Sequence, residues 1–352
     1  PGEIYWCTAD IGWITGHTYI IYGPLLAGAT TVMFEGVPTY PDAGRFWEIV
    51  EKNKINIFYT APTAIRSLEA YGNEYVKKYD LESLKVLGTV GEPINEDAWN
   101  WYFKEIGAEK CPIVDTWWQT ETGGIMISNL AGINKAKPTF ATLPLPGIKA
   151  CIVDEKGNEL EANNTEGKLC IKYPWPSMAR TIYGDHQRFI DTYFSSFSGK
   201  YFSGDGCYKN EEGLFRITGR VDDVLIVSGH NLGTAEIESA IDEHKNVCES
   251  AIVGYPHTIK GNGIFAYIIC HSSPKDKKAT GIEINDLIAK HVGPIAKVDK
   301  FLYVEGLPKT RSGKIMRRIL RKIASGEFNE LGDTSTLLDP NVVTSIIKES
   351  QK

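Results

Sequence analysis

Short apolar runs alternate with amphipathic segments in the first part of the chain. The runs at 4–8, 30–34, 55–60, 84–90 and 112–114 have the length of buried strands. Between them, apolar residues recur at helical spacing, and helices are predicted from Tyr19 onward, over 43–52 and 63–71, and around Trp99, Tyr102, Phe103 and Ile106. This alternation is typical of parallel βα units, whose ligand loops lie at one edge of the sheet.

The pattern changes after Pro146. Glycine-punctuated strands are predicted at 148–153, 167–173, 201–209 and 214–218, and a turn at 210–213 joins the last two. A second alternating unit begins near Asp222. It has a helix with Thr234 as its N-cap, strands at 250–254, 264–270 and 301–304, and a helix that carries Ile284, Leu287, Ile288 and His291.

The predicted fold is α/β, with parallel βα layers and a smaller antiparallel β layer followed by a small α+β C-terminal domain. A chain of 352 residues exceeds one ordinary core, which supports this division. The boundary near Asp222 gives domains at 1–221 and 222–330 and a tail at 331–352, the one part expected to be disordered.

Composition narrows the class of protein. A hydrophobic fraction of 42% and a charged fraction of 23% are globular values, and a net charge of -6 argues against a nucleic-acid partner. The seven cysteines form no CxxC pair and have no zinc-like spacing with histidine. They indicate buried thiols in a reducing compartment, and hence a cytoplasmic protein.

Neither a signal peptide nor a membrane span is predicted. The N-terminus lacks a basic flank, and the most apolar run, 19–34, is interrupted by Gly23, Pro24 and Gly28. The immediate start on a strand suggests that the chain continues a larger protein.

The most informative stretch is CPIVDTWWQTETGG at 111–124. A strand leads directly into aromatic, hydroxyl, carboxylate and glycine residues, as at the ligand-binding edge of an open α/β sheet. Indole stacks on a flat base, threonine donates to phosphate, and glutamate holds a hard cation such as magnesium. The alternative is a strand and a polar turn with two core tryptophans. The ligand site is favoured, because strand alternation points neighbouring tryptophans in opposite directions.

A basic segment lies near the C-terminus. Seven basic residues and no acidic one occur between Lys309 and Lys322, and the apolar face of the predicted helix leaves Arg317 and Arg318 toward solvent. A solvated helix or an RNA-binding stripe is the ordinary interpretation. Lys314 differs because it follows Thr310-Arg311-Ser312-Gly313, a loop that can extend toward an anionic transition state and withdraw.

Five motifs in this order, TWWQTETGG, YFSGDG, GRVDDV, SGHNLGTAEIESA and LPKTRSGKIMRRILRKIA, resemble those of the AMP-forming acetyl-CoA synthetases of the adenylate-forming superfamily. The resemblance covers nearly the whole chain. It implies a large adenylating domain followed by a mobile C-terminal domain. It also implies an acetate–CoA ligase that makes acetyl-AMP and pyrophosphate from acetate and ATP, then transfers the acetyl group to coenzyme A.

The resemblance also implies roles for individual residues. Thr120 would contact the α-phosphate and Glu121 would hold Mg²⁺. Nucleotide contacts would come from Gly91, Glu92 and Pro93 and from Asp115, Thr116 and Trp117 at the adenine, and from Asp205 and Arg220 at the ribose. The acetate pocket would be closed by Ile14, Thr15, Val90 and Trp118.

The C-terminal domain would rotate about Asp222 between the two half-reactions. Lys314 would stabilise the adenylation transition state. In the second orientation Trp13, Ser228 and Gly229 would border the coenzyme A tunnel. Lys314 would also be an acetylation target, so an acetyltransferase or deacetylase is a possible partner.

Two features depart from the family pattern. The phosphate loop that precedes the first strand in relatives is missing, and Asn231 stands where bacterial relatives often have arginine, so it cannot form a charged fork with phosphate. Two alternatives stay open: a ligase for propionate or another short acid, and a non-catalytic fragment.

Overall fold

The computed structural model describes residues 1–221, 224–227, 230–258, 261–310, 314–329, 331–332 and 334–351, without the side chains at 224, 226, 230, 231 and 261. The chain divides into two compact units, Pro1–Ile217 and Thr218–Lys352. The predicted boundary at Asp222 lies outside the described residues, and the division falls a few residues before it.

The first unit is built on a six-stranded sheet with the order β2-β1-β3-β4-β5-β6. Its first five strands are parallel, and β6 is antiparallel to β5. This arrangement confirms the predicted parallel βα layer. The strands are β1 (Ile4–Cys7), β2 (Thr30–Val32), β3 (Ile57–Thr60), β4 (Val86–Thr89), β5 (Ile113–Trp117) and β6 (Ile127–Ser128).

The helices of this sheet bury aromatic side chains against it. Trp47 and Trp101 pack with Phe58 and Trp6 in one core. The helices are α1 (Ile14–Gly16), a π-helix (His17–Tyr22), α2 (Gly23–Leu26), α3 (Arg45–Asn53), α4 (Pro62–Ala70), α5 (Glu96–Trp101) and a second π-helix (Tyr102–Ile106).

The first helical segment begins earlier than predicted. The helix is predicted from Tyr19 onward, but helical structure starts at Ile14. Gly16 is there for close packing, because a Cβ at this position would lie 2.5 Å from the carbonyl oxygen of Asp10. Gly16 is therefore a point of close approach between the helix and the segment before it.

The predicted antiparallel layer is confirmed as a four-stranded sheet with the order β10-β9-β8-β7. The turn at 210–213 is fixed by Asn210, whose Oδ1 accepts from the backbone N–H groups of Glu212 and Leu214. The elements are β7 (Ala150–Val153), β8 (Thr165–Ile171), α6 (His186–Tyr193), β9 (Tyr201–Lys209) and β10 (Phe215–Arg220).

The second unit has a sheet with the order β12-β11-β14-β13, to which β15 adds parallel to β14. Helices cover it, and apolar clusters line both faces. The elements are β11 (Val224–Val227), β12 (His230–Gly233), α7 (Thr234–Asp242), β13 (Val247–His257), β14 (Gly261–Cys270), α8 (Lys277–His291), β15 (Lys300–Tyr303), α9 (Arg317–Ala324) and α10 (Asn341–Ser350).

Three predictions for this unit are wrong. Gly233 occupies the N-cap of α7, and Thr234 is its first helical residue with a buried side chain. Arg317 does not face solvent, because its guanidinium forms an ion pair with Glu238 on α7 at 2.7 Å. The tail is not disordered over its described residues, since Val343 and Ile346 of α10 are buried in the core.

All seven cysteines are described, and all are free thiols. Cys248 is exposed, so the prediction of buried thiols fails there; it is the extra residue of an irregularity in β13. Among the described residues, no helix combines the length and apolar character that crossing a membrane requires.

Candidate active site

The turn that follows β5 is held rigidly by its own side chains. The Oγ1 of Thr122 accepts from the backbone N–H of Gln119 at 2.9 Å, and its backbone oxygen accepts from Trp175 Nε1 and Ser177 Oγ at 2.9 and 2.7 Å. Thr122 is fully buried. The turn therefore presents Thr120 and Glu121 from a fixed backbone, a short 3₁₀ helix over Thr120–Thr122.

The structure explains why position 123, the first of the two adjacent glycines in this motif, is a glycine. Its φ of +71° lies in the left-handed region, and a Cβ there would lie 2.4 Å from the backbone oxygen of Ser177. The chain segment of Ser177 can approach this closely only because the side chain is absent.

The two neighbouring tryptophans separate as strand alternation predicts. Trp117 packs under the antiparallel layer, in the cluster that contains Ile152 and Trp175. Trp118 packs on the other side, in a cluster with Val90 and Tyr59. Both indoles thus have core partners, so the tryptophans contribute to packing as well as to the candidate site.

Trp117 also orients the predicted ribose ligand. Its Nε1 donates to Asp205 Oδ2 at 3.1 Å, and Gln119 Nε2 donates to the same oxygen at 2.9 Å. Tyr201 OH in turn donates to Gln119 Oε1 at 2.8 Å. Asp205 is 6% exposed, so these donors compensate a carboxylate largely withdrawn from water. Two motifs nearly ninety residues apart meet here.

Sequence reasoning missed Gln119 and Tyr201. Gln119 stands inside the motif that was singled out, between two residues given roles, and its amide can bridge an acceptor and a donor. That position was a usable signal. Tyr201 is the first residue of the YFSGDG motif that contains Asp205, so its position was a usable signal too, although its hydrogen bond to Gln119 forms only once the strands have paired.

Glu121 and Thr120 lie at the open side of the turn. Thr120 is exposed and Glu121 is half-buried. The hydroxyl of Tyr193, a third residue missed from sequence, donates to Glu121 Oε1. No group of three or more metal-ligating side chains occurs among the described residues. One carboxylate fits a Mg²⁺ whose other ligands are phosphate and water oxygens.

Asp115 and Thr116 have partners inside the sheet. Thr89 Oγ1 donates to Asp115 Oδ1 at 2.6 Å. Burial raises the pKa of Asp115 to about 7, and the hydrogen bond from Thr89 only partly opposes this. The hydroxyl of Thr116 donates to the backbone oxygen of Thr89 at 2.6 Å and lies 2.7 Å from Tyr59 OH. These side chains stiffen the sheet edge.

The loop after β4 is at the same edge of the sheet, because β4 and β5 are adjacent and parallel. Gly91 has a φ of +97° and is exposed, as is Pro93. The carboxylate of Glu92 turns away to α4, where Oε1 accepts from the backbone N–H of Thr63 at 2.7 Å and pairs with Arg66 at 3.3 Å. Glu92 therefore fixes the loop.

The predicted acyl-pocket residues are partly brought together. Val90 and Trp118 share one apolar cluster with Tyr19 and Tyr59, and the Tyr19 and Trp118 rings meet edge to face at 5.0 Å. Tyr19 and Tyr59 were missed from sequence. Burial raises the pKa of Tyr19 to about 12, so its phenol stays neutral. Trp13, Ile14 and Thr15 are half-buried around the start of α1.

The other predicted residues belong to the second unit. Lys314 is exposed, and its backbone oxygen accepts from the N–H of Thr310 at 2.9 Å. Arg220 ends β10 and is half-buried. Asp222, Ser228 and Gly229 lie outside the described residues, as does the side chain of Asn231. The backbone of Asn231 in β12 pairs with that of Ile226 in β11.

Comparison with known proteins gives consistent matches. The family model of the AMP-binding enzymes matches residues 1–183, and that of the AMP-binding enzyme C-terminal domain matches 236–314. The acetyl-coenzyme A synthetases of Halorhodospira halophila and Sinorhizobium medicae are each 59% identical to this chain over 99% of its residues. The chain spans 54% of the length of each of these relatives.

A solved structure supports the fold. The anthranilate CoA ligase AuaEII, in complex with anthranoyl-AMP, superposes with a TM-score of 0.80 at 24% identity. The match covers 92% of this chain and 60% of that one. With one family model covering more than half of its residues, this chain belongs to the AMP-binding enzymes.

Proposed function

We propose that the protein to which this chain belongs is an AMP-forming acetate–CoA ligase. The observation that carries the proposal is the convergence of Trp117 and Gln119 on Asp205, beside a turn that presents Thr120 and Glu121. The similarity to acetyl-coenzyme A synthetases supports the choice of reaction. The enzyme would act in the cytoplasm, where its free thiols stay reduced.

ATP would bind at the carboxyl edge of the parallel sheet. Asp205, held by Trp117 and Gln119, would accept hydrogen bonds from the ribose hydroxyls, with Arg220 as a further contact. The loop at 91–93 and the end of β5 at 115–117 would border the adenine. Thr120 would donate to the α-phosphate, and Asn231 would add a neutral polar contact.

In the first half-reaction a carboxylate oxygen of acetate attacks the α-phosphorus, and the bond to pyrophosphate breaks. In the second, the thiol sulfur of coenzyme A attacks the acetyl carbon of acetyl-AMP and AMP leaves. Mg²⁺ bound at Glu121 would neutralise phosphate charge. The residues of this chain would hold the two reacting groups in place, which lowers the entropic part of the barrier.

The second unit would serve both steps. Lys314, whose side chain is exposed, would reach the phosphate and carboxylate during adenylation, after which the unit would turn about Asp222. Trp13, Ser228 and Gly229 would then border the pantetheine of coenzyme A. An acetyltransferase and a deacetylase acting on Lys314 would switch the first step alone.

The nucleotide site is tested in the full-length protein, because this chain spans 54% of its relatives. We expect Asp205→Asn to reduce ATP–pyrophosphate exchange roughly 10- to 100-fold, since charge-assisted hydrogen bonds to ribose are lost. Asp154→Asn, at an exposed aspartate, is the matched control. Unchanged exchange in Asp205→Asn would overturn the nucleotide site.

The acyl pocket is tested by chain length. Trp118→Gly should raise the kcat/KM for butyrate relative to acetate by roughly 10- to 100-fold or more, because each methylene is worth about 1–3 kcal/mol in a filled pocket. Trp118→Phe is the conservative control and should change the ratio less. A wild-type enzyme that uses propionate better than acetate would instead favour a propionate ligase.

The proposed role of Lys314 in adenylation is tested by measuring the two half-reactions separately. Acetylated full-length protein should lose acetyl-AMP formation and still convert added acetyl-AMP to acetyl-CoA. Lys309→Gln is a control, because Lys309 is held by Glu249 at 2.7 Å. Acetyl-AMP synthesis that survives acetylation of Lys314 would contradict its catalytic role.

The second candidate is that this chain is a non-catalytic fragment. The observation in its favour is that the chain spans 54% of the length of its relatives. The chain of 352 residues would then bind no nucleotide by itself. Calorimetry with AMP separates the two cases. If the chain binds AMP and Asp205→Asn abolishes this binding, the ribose site is assembled within the chain. If the chain binds no AMP but the full-length protein catalyses ATP–pyrophosphate exchange, the activity belongs to the full-length protein.

A further inference from the structure

Two cysteines face each other across the antiparallel layer. Cys151 on β7 and Cys170 on β8 are direct partners in the strand register, between the pairs Ala150 with Ile171 and Ile152 with Leu169. Directly opposite residues point to the same face of a sheet, with Cβ atoms about 4.5–5.5 Å apart. Both thiols accordingly belong to one small apolar cluster with Val153 and Phe197.

The Cα spacing of this pair falls within the range of disulfide bonds. The backbone N–H of Lys172 donates to the oxygen of Lys149, so that pair is of the hydrogen-bonded kind. Hydrogen-bonded and non-hydrogen-bonded pairs alternate, which makes the cysteines, two positions further along, hydrogen-bonded as well, with Cα atoms about 5.5 Å apart. Disulfides span Cα distances of about 4.4–6.8 Å and Cβ distances of about 3.5–4.5 Å, so the pair meets the Cα range and its Cβ atoms must approach each other by about 1 Å for the bond to form.

We propose that Cys151 and Cys170 are a redox-modifiable pair that forms a reversible cross-strand disulfide when the protein meets a peroxide. Cys151 is the half-buried member and lines an open cavity of about 280 Å³, whereas Cys170 is fully buried. The accessible thiol therefore reacts first and the buried one second.

The two steps balance. The sulfur of Cys151 attacks one oxygen of hydrogen peroxide, the O–O bond breaks, and a sulfenic acid and one water form. The sulfur of Cys170 then attacks that of Cys151 and displaces hydroxide, which takes the Cys170 proton as the second water. Two thiols are oxidised and one peroxide is reduced.

The surroundings of the thiols set the pH dependence. Burial raises the pKa of Cys151 to about 11, with Glu159 raising it further and Lys200 and Lys172 lowering it. Burial likewise raises the pKa of Cys170 to about 12; Cys151 and Glu159 add to the increase, and Lys200 and Lys168 oppose it. The thiolate is the reactive form, so the rate should rise roughly tenfold per pH unit below these values.

The test uses the 352-residue chain with Cys248→Ser, which removes the exposed thiol. The protein is treated with hydrogen peroxide at pH 7 and at pH 9, denatured, alkylated and mapped by peptide mass spectrometry. We expect a linked peptide that contains Cys151 and Cys170, lighter by two hydrogens, formed faster at pH 9 and separated by dithiothreitol.

Two controls test whether the oxidation is confined to Cys151 and Cys170. Cys170→Ser should stop at the sulfenic acid of Cys151, which dimedone traps. Cys207 is equally buried but faces Gly167 across β8 and β9, so it should remain alkylatable. Free thiols at both 151 and 170 after treatment, or a sulfinic acid at Cys151 beside an unreacted Cys170, would overturn the proposal.

Discussion

Gly123 is the residue at which the site geometry depends most directly on an absent side chain. Gly123→Ala would force a residue with a side chain into the left-handed backbone conformation. Its new Cβ would also lie 2.4 Å from the backbone oxygen of Ser177. The conformation alone costs about 1–2 kcal/mol, and the backbone contact adds to it. We expect a lower midpoint of urea unfolding, as detected by tryptophan fluorescence, and a displacement of the turn at 120–122.

Gly213→Ala is the matched control for this prediction. Gly213 has a φ of +78°, but no atom lies within 4 Å of the Cβ it would gain. It therefore experiences the conformational cost without the contact. Equal losses in the two variants would show that the approach of Ser177 is not what requires glycine at position 123.

Asp115 predicts a pH dependence of stability. Its pKa is about 7 in the folded protein and its ordinary value is 3.8, so between pH 5 and 7 the folded state holds a proton that the unfolded state has released. Stability of the wild type therefore falls as pH rises through this window, by about 3 kcal/mol, and levels off above pH 7.

Asp115→Asn removes that loss. Relative to wild type, its unfolding free energy should rise from pH 5 to pH 7 and then stay level, since its amide oxygen can still accept from Thr89. Urea unfolding followed by tryptophan fluorescence reports residues 1–217, where all eight tryptophans lie. Asp154→Asn should give a flat difference, because Asn158 lowers the pKa of that exposed carboxyl. A flat difference for Asp115→Asn would contradict the raised pKa.

At the scale of elements, the ion pair between α7 and α9 joins two helices that are distant in sequence. Arg317 Nη2 lies 2.7 Å from Glu238 Oε2, and Glu238 Oε1 also accepts from the backbone N–H of Ile252 on β13. Both side chains are less than a quarter exposed. A fork of this kind orients a helix, a sheet strand and a second helix together.

Removing one partner of this ion pair should therefore reduce stability by more than removing one partner of a solvent-exposed ion pair. We expect Arg317→Met to reduce the protection of α7 and α9 in peptide-level hydrogen exchange by about 2 kcal/mol, because Glu238 is left poorly solvated. The double variant with Glu238→Gln should lose less than the sum of the two single changes. Additive losses would indicate that the pair contributes nothing of its own.

Elements with regular patterns could be predicted from the sequence. The strands at 55–60 and 84–90 and the hairpin at 210–213 follow from apolar runs and turn residues, and the structure confirms them. Their contacts could not be predicted. Nothing local to Arg317 reveals Glu238 about eighty residues away, and Gln119 meets Asp205 only after two sheets have formed.

At the scale of the whole molecule, the sequence indicated a division of the chain but not the role of its last residues. The segment at 331–352 is predicted as a disordered tail, yet α10 buries Val343 and Ile346 against strands of the second unit. A short amphipathic helix has little local signal, since packing rather than propensity stabilises it.

The second unit has its own apolar cores on both faces of its sheet, which predicts that residues 218–352 fold as a separate protein only if α10 is retained. We expect 218–352 to unfold cooperatively in urea by circular dichroism. Ile346→Ala should cost about 2–5 kcal/mol, because a fully buried isoleucine leaves a cavity. Thr344→Ala, on the exposed side of the same helix, should change stability by less than about 0.5 kcal/mol. If the two variants were equally stable, the tail would be dispensable, and the core would have to be complete without it.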